Sequence, residues 1–144
     1  MKAKSLILVL FIFILSSTLT AQSGPEDILD NFFNLFEQNV DEAIDYLFST
    51  NELIDPKQEG IRAIKDRMDL SRKLLGKYYG HEIVKEYRAG YSYRKYIYSL
   101  KYERQPLKIE LVLYKPDDKW KVQNVNFHDD LNSDFKETDL SPIK

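Results

Sequence analysis

Apolar residues recur along this chain with one period up to about residue 75 and with another after residue 80. In the first part Ile28, Leu29, Phe32, Phe33 and Phe36 follow steps of three and four, which predicts a helix from Pro25 to about Gln38. Pro25 suits its first turn, and Glu26 and Asp27 suit its positive end. Asn39 or Asp41 is placed to cap a second, short helix whose Ile44, Leu47 and Phe48 form one face. The stretch STNELIDPKQEG has turn residues at both ends and reads as a connection. A third helix is expected from about Lys57 or Gly60 to Leu75. Ile61, Ile64, Met68 and Leu75 lie on one side of it, and Arg62, Lys65, Asp66, Asp69 and Arg72 face water. Gly76 and Gly80 bracket its end as caps.

After Gly80 the period becomes two. Ile83, Lys85 and Tyr87 alternate with Val84, Glu86 and Arg88 until Gly90 breaks the run, and a long strand is expected from about Tyr91 to Glu103. Leu107, Ile109, Leu111 and Leu113 alternate with Lys108, Glu110, Val112 and Tyr114 as a half-buried strand. KPDDK reads as a hairpin loop with Pro116 preset for the turn. In the last strand Trp120 and Val122 share one parity but Val125 and Phe127 take the other, which predicts a β-bulge near Gln123–Asn124. Three helices followed by a four-stranded antiparallel meander indicate one α+β domain with the helices on one face of the sheet.

The N-terminus changes the picture from fold to destination. Lys2 and Lys4 precede the ten apolar residues Leu6–Leu15, and SSTLTAQSG follows, the order of a signal peptide. A membrane-spanning helix needs about 20 apolar residues, so export and removal are expected rather than a stable anchor. Cleavage is expected after Ala21, with Ser23 as an alternative site. This gives a signal peptide over 1–21, a domain over 22–131 and a polar tail over 132–144, and a periplasmic or secreted protein. There is no cysteine, so neither disulfides nor a lipidated N-terminal cysteine is available, and one core must hold about 120 residues together. Charge is divided along the chain. Residues 22–60 carry ten acids and one Lys, net −9, whereas residues 61–121 carry sixteen basic residues and eight acids, net +8.

The paired first helices, the third helix ending in LLGKYYGHEIV, and the ending KPDDKWKVQNVNF within RQPLKIELVLYKPDDKWKVQNVNF resemble small exported bacterial NTF2-like (cystatin-like α+β) proteins. The resemblance spans about Glu26 to Leu131. It implies a curved sheet wrapped around the helices as a cone, a pocket at the open end, and a homodimer through the sheet. It implies no particular activity, because that architecture hosts isomerases, dehydratases, binding domains and dimerisation modules alike. No catalytic residue is transferred.

The most conspicuous stretch is YSYRKYIYSLKY, Tyr91 to Tyr102. Tyr96, Tyr98 and Tyr102 share one face with Arg94 and Leu100, and tyrosine favours half-buried strands. The expectation is a face packed on the helices or in a dimer. The competing readings are a small-ligand surface at the cone mouth or a nucleic-acid platform. The second is not expected, because the mature chain is acidic overall and its N-terminal helices would oppose a polyanion. Pocket or interface candidates are therefore Tyr96, Tyr98, Tyr102, Arg94, Tyr46 and Glu110, with Asp45 beside Tyr46 also worth inspecting for acid–base chemistry. His81 and His128 stand at strand ends. The sequence has no HExxH, no Cys–His spacing, no GxSxG and no phosphate or dinucleotide loop, so no metal and no cofactor is indicated. The reading is an exported, non-catalytic binding module for an unidentified small molecule or protein. The alternatives are a cofactor-free isomerase, dehydratase or hydrolase using a Tyr and a carboxylate, and a structural interaction protein of the cell envelope.

Overall fold

The computed structural model describes residues 24–55 and 57–128. The expected signal peptide and polar tail lie outside the described residues, as do Leu131 and Phe135. Three helices, α1 (Pro25–Gln38), α2 (Val40–Ser49) and α3 (Glu59–Leu75), precede four strands, β1 (Tyr78–Ala89), β2 (Tyr93–Tyr102), β3 (Leu107–Tyr114) and β4 (Lys121–His128). The strands form one antiparallel sheet in chain order, and the helices pack against it.

Helix α1 begins where Gly24 N–H donates to the Asp27 carboxylate at 2.9 Å, and it buries Ile28, Leu29, Phe32, Phe33 and Phe36. Asn39 ends one helix and starts the next. Its N–H donates to the Leu35 carbonyl at 2.7 Å, and its Oδ1 accepts from Asp41 N–H at 3.0 Å and Glu42 N–H at 3.3 Å. One residue thereby satisfies backbone groups at both helix ends. Helix α3 buries Ile61, Met68 and Leu75 and stops at Gly76, whose φ of 80° suits glycine. Two of the α3 residues expected in water are partly covered instead: Lys65 pairs with Asp45 of α2, and Arg72 is half-buried.

The turn after α2 is tied to the far edge of the sheet. Val122 N–H donates to Thr50 Oγ1 at 2.8 Å, and Asn51 Nδ2 donates to the Val122 carbonyl at 3.0 Å.

Strands β2 and β3 pair without a break from Tyr93↔Tyr114 to Leu100↔Leu107. In β4 the register runs Val112↔Asn124 and then Leu113↔Val122, which leaves Gln123 as the extra residue. The bulge expected from the parity switch is there, and it turns Val122, Val125 and Phe127 all to the core. Strand β1 differs from its expectation. It starts at Tyr78, before Gly80, and carries two register shifts, one between Tyr78 and His81 and one between Ile83 and Lys85. Gly80, at φ 113°, lies inside the first shift and is no helix cap. The long strand also starts later than expected: Tyr91 sits in the turn after Gly90, 91% exposed.

Candidate functional site

The helix side of β2 holds the tyrosine stripe. Tyr96, Tyr98, Leu100 and Tyr102 are all buried in the single chain, as expected of a face packed on helices. Tyr98 meets the edge of Phe33 with ring centres 4.7 Å apart, and Tyr102 lies 5.3 Å from Tyr78. The Tyr96 hydroxyl donates to Glu26 Oε1 at 3.2 Å, which couples the first turn of α1 to the middle of the sheet. Burial pushes the Tyr98 and Tyr102 hydroxyls up to about 12, and it moves Tyr78 and Tyr96 in the same direction with help from Glu37 and Glu26 respectively. The Tyr102 hydroxyl has no hydrogen-bond partner among the described residues. Phe32, Phe36, Ile44, Leu47, Met68, Leu107, Ile109 and Leu111 fill the space between helices and sheet, all nearly inaccessible.

With that volume occupied by side chains, space for a ligand lies at the end of the layer where α3 turns into β1. There a groove of about 720 Å³ is lined by Glu37 of α1, Asp69, Arg72 and Lys73 of α3, and Lys77 and Tyr78. The local sequence builds it in two steps. Gly76 allows the chain to leave α3 beside Glu103, where a Cβ would come within 2.8 Å of the Glu103 carboxylate. The bulge at Gly80 then lets Tyr78 and His81 both face the helices although they are three residues apart.

Behind the groove, the Tyr78 hydroxyl and His81 Nδ1 are 3.2 Å apart, with the direction of donation set by the imidazole tautomer. The His81 ring stacks on Phe33 at 3.6 Å and 9° between planes. Burial lowers the His81 pKa, with Glu37 and Asp30 opposing and Lys101 assisting, so the imidazole is neutral at pH 7. A neutral imidazole bonded to a phenol can accept or pass a proton, and three cations at the mouth can hold an acidic group.

The other candidate residues lie elsewhere. Tyr46 accepts from Asn31 Nδ2 at 3.3 Å between α1 and α2, and Asp45 is held by Lys65. Arg94 donates to the Gly90 and Tyr93 carbonyls at 3.1 and 3.0 Å, with its guanidinium 5.4 Å from the Trp120 ring centre. Glu110 faces away from the helices, bonded to Lys95 at 2.6 Å and Lys108 at 3.3 Å. Burial raises its pKa, but those two hydrogen bonds outweigh burial and leave it below the usual carboxylate range. His128 lies 3.9 Å from Glu110. Asp129 and Asp130, which follow it, are outside the described residues.

Sequence reasoning thus found the buried stripe but not the groove. His81 reads only as a strand-end residue, and Arg72 as a surface charge. The one available signal was the run KYYGH after a helix rich in terminal cations, and its meaning depends on a bulge that no local pattern marks.

The chain matches no family model, no curated protein and no solved structure with which it was compared.

Proposed function

We propose that the protein is an exported binding module of the NTF2-like cone type, with a small ligand carrying an acidic group seated in the groove between α3 and β1. The element order and the bulges that bend β1 and β4 support the cone. The observation that carries the binding reading is the groove itself: Arg72, Lys73 and Lys77 outnumber Glu37 and Asp69 around an opening backed by a tyrosine hydroxyl. The two acids favour a ligand that also has a polar or cationic end over a bare polyanion. The test is calorimetric titration of the chain from Gln22 with a panel of small carboxylates, amino acids and phosphate esters. Binding of at least one of them, weakened at least about tenfold in Arg72→Ala/Lys73→Ala, is the expected result; a tenfold loss corresponds to about 1.4 kcal/mol. Equal binding by that variant would remove the groove from consideration.

The Tyr78–His81 hydrogen bond favours a second reading, cofactor-free acid–base catalysis at the same groove. His81→Gln separates the two, since it would abolish turnover of a bound substrate while leaving the cations that hold a ligand in place.

A further inference from the structure

The groove between α3 and β1 is lined by charges of both signs that do not satisfy one another. The side chains of Glu37, Asp69, Arg72 and Lys73 make no hydrogen bond and no ion pair among the described residues. Asp69 has Arg72 and Lys73 three and four residues ahead of it on α3, the spacing at which helical pairs close, and it closes with neither. The Lys77 ammonium lies over the Tyr79 ring, 5.2 Å from its centre. Charges that ring one opening and leave each other unpaired are available to what enters it.

The helix ends that carry these groups separate them by sign. Arg72 and Lys73 stand in the last turn of α3, where they offset the partial negative charge of its C-terminal carbonyls. Helix α1 ends differently. Its last turn has no basic residue, and Glu37 adds a full negative charge to the same end of that helix dipole. The α1 side of the groove is therefore negative without compensation, and the cations stand on the α3 side. Asp69 is not equivalent to Glu37, because two cations of its own helix lie within about one turn of it. The charge of Glu37 also reaches the Tyr78 hydroxyl and the His81 imidazole, where it favours the protonated forms. The negative seat thus adjoins the Tyr78–His81 pair, whose phenolic oxygen can accept from a donor placed beside Glu37.

The geometry points to a zwitterion as the ligand, with its carboxylate on Arg72 and Lys73 and its ammonium on Glu37, so that Glu37 selects amino acids over simple acids. This rests on the reading of the groove as the site of a small acidic ligand, and it adds the opposite charge and the residue that reads it. The volume of about 720 Å³ lies within the range of small-molecule sites, about 300–1,000 Å³, and admits an amino acid whole.

The experiment is calorimetric titration of the chain from Gln22 with two zwitterions, leucine with its charges adjacent and 6-aminohexanoate with them far apart. Each is set beside its deaminated acid, 4-methylpentanoate or hexanoate, and its decarboxylated amine, 3-methylbutylamine or pentylamine. At least one zwitterion is expected to bind at least about tenfold more tightly than both of its single-charge relatives. Glu37 is exposed, so Glu37→Gln is expected to leave the fold intact. In that variant the advantage over the acid should vanish, while the acid itself binds at least as tightly as in the parent. An acid that matches its zwitterion in the parent overturns the proposal and leaves the groove an anion site. So does an advantage that survives Glu37→Gln, or one lost only in Asp69→Asn, which would put the ammonium on α3. Failure of every one of these probes overturns it as well; the groove itself still stands as a binding site if a phosphate ester binds in a manner that depends on Arg72 and Lys73.

Discussion

The two faces of the sheet are built from the same strands by opposite means. Toward the helices, β2 presents Tyr96, Tyr98, Leu100 and Tyr102, and the aromatic rings of α1 close over them. On the other side the same strand presents Lys95, Ile97, Ser99 and Lys101 beside Lys108, Glu110 and Val112 of β3. Both centres are withdrawn from water. The first is held by apolar volume, where each large side chain contributes by area and packing. The second is held by a carboxylate between two ammonium groups, an arrangement whose net worth is small but whose disruption is expensive. Burial alone therefore does not say which face is the core. What distinguishes them is how each responds when one member is removed.

The largest effect is expected on the helix side. Phe32→Ala removes a ring with no exposure from the centre of the aromatic packing, and urea unfolding should register a loss of about 4 kcal/mol. A loss below about 1 kcal/mol would mean that this layer is loosely packed and that the comparison is drawn too sharply.

Next comes the outer face. Glu110→Ala leaves Lys108 buried without the carboxylate at 3.3 Å, and a cost of about 3 kcal/mol is expected. Lys108→Met removes the buried charge and keeps the volume, so it should cost far less than Glu110→Ala. Equal costs for the two would show that packing, not charge compensation, governs this face.

The smallest effect has the opposite sign. Tyr102→Phe removes a buried hydroxyl with no partner among the described residues, and a gain of up to about 1 kcal/mol is expected. Tyr98 and Tyr102 ionise near pH 10 when unfolded but only near 12 when folded. Their preference for the folded state is thus complete below pH 10 and lost as pH rises toward 12. Stability measured across that window should fall less steeply in Tyr102→Phe than in the parent. An identical slope would mean that Tyr102 is accessible to hydroxide in the native state.

Legibility in the sequence follows the range of the interactions that decide each feature. Helix α1 was readable to the residue because Pro25, its acidic first turn and five apolar positions all act within four residues of one another. A cap at Asn39 or Asp41 and a bulge near Gln123–Asn124 were readable for the same reason, since cap chemistry and a parity switch are local marks, and the structure narrows them to Asn39 and Gln123. Strand β1 was not. Ile83 and Val84 are both apolar, so the shift between Ile83 and Lys85 leaves no break in the pattern, and the glycine that makes the first shift looks like a helix cap. The side on which Tyr96, Tyr98 and Tyr102 pack was legible from alternation. The groove was not, because Glu37, Arg72 and Tyr78 come from three elements, and only the docked tertiary arrangement brings them to one opening.

The order of the sheet has a kinetic consequence. Every strand pairs with its immediate predecessor in the chain, so the sheet can form by successive short hairpins with little loop closure. The long closures are left to a few ties between distant segments: Glu26 to Tyr96, and Thr50 and Asn51 to Val122. Low contact order in the sheet favours fast folding, and the barrier then falls on docking the helical layer as a unit. A chain without cysteine has no disulfide intermediate to wait for, and its native state is set by how quickly that one layer finds its sheet.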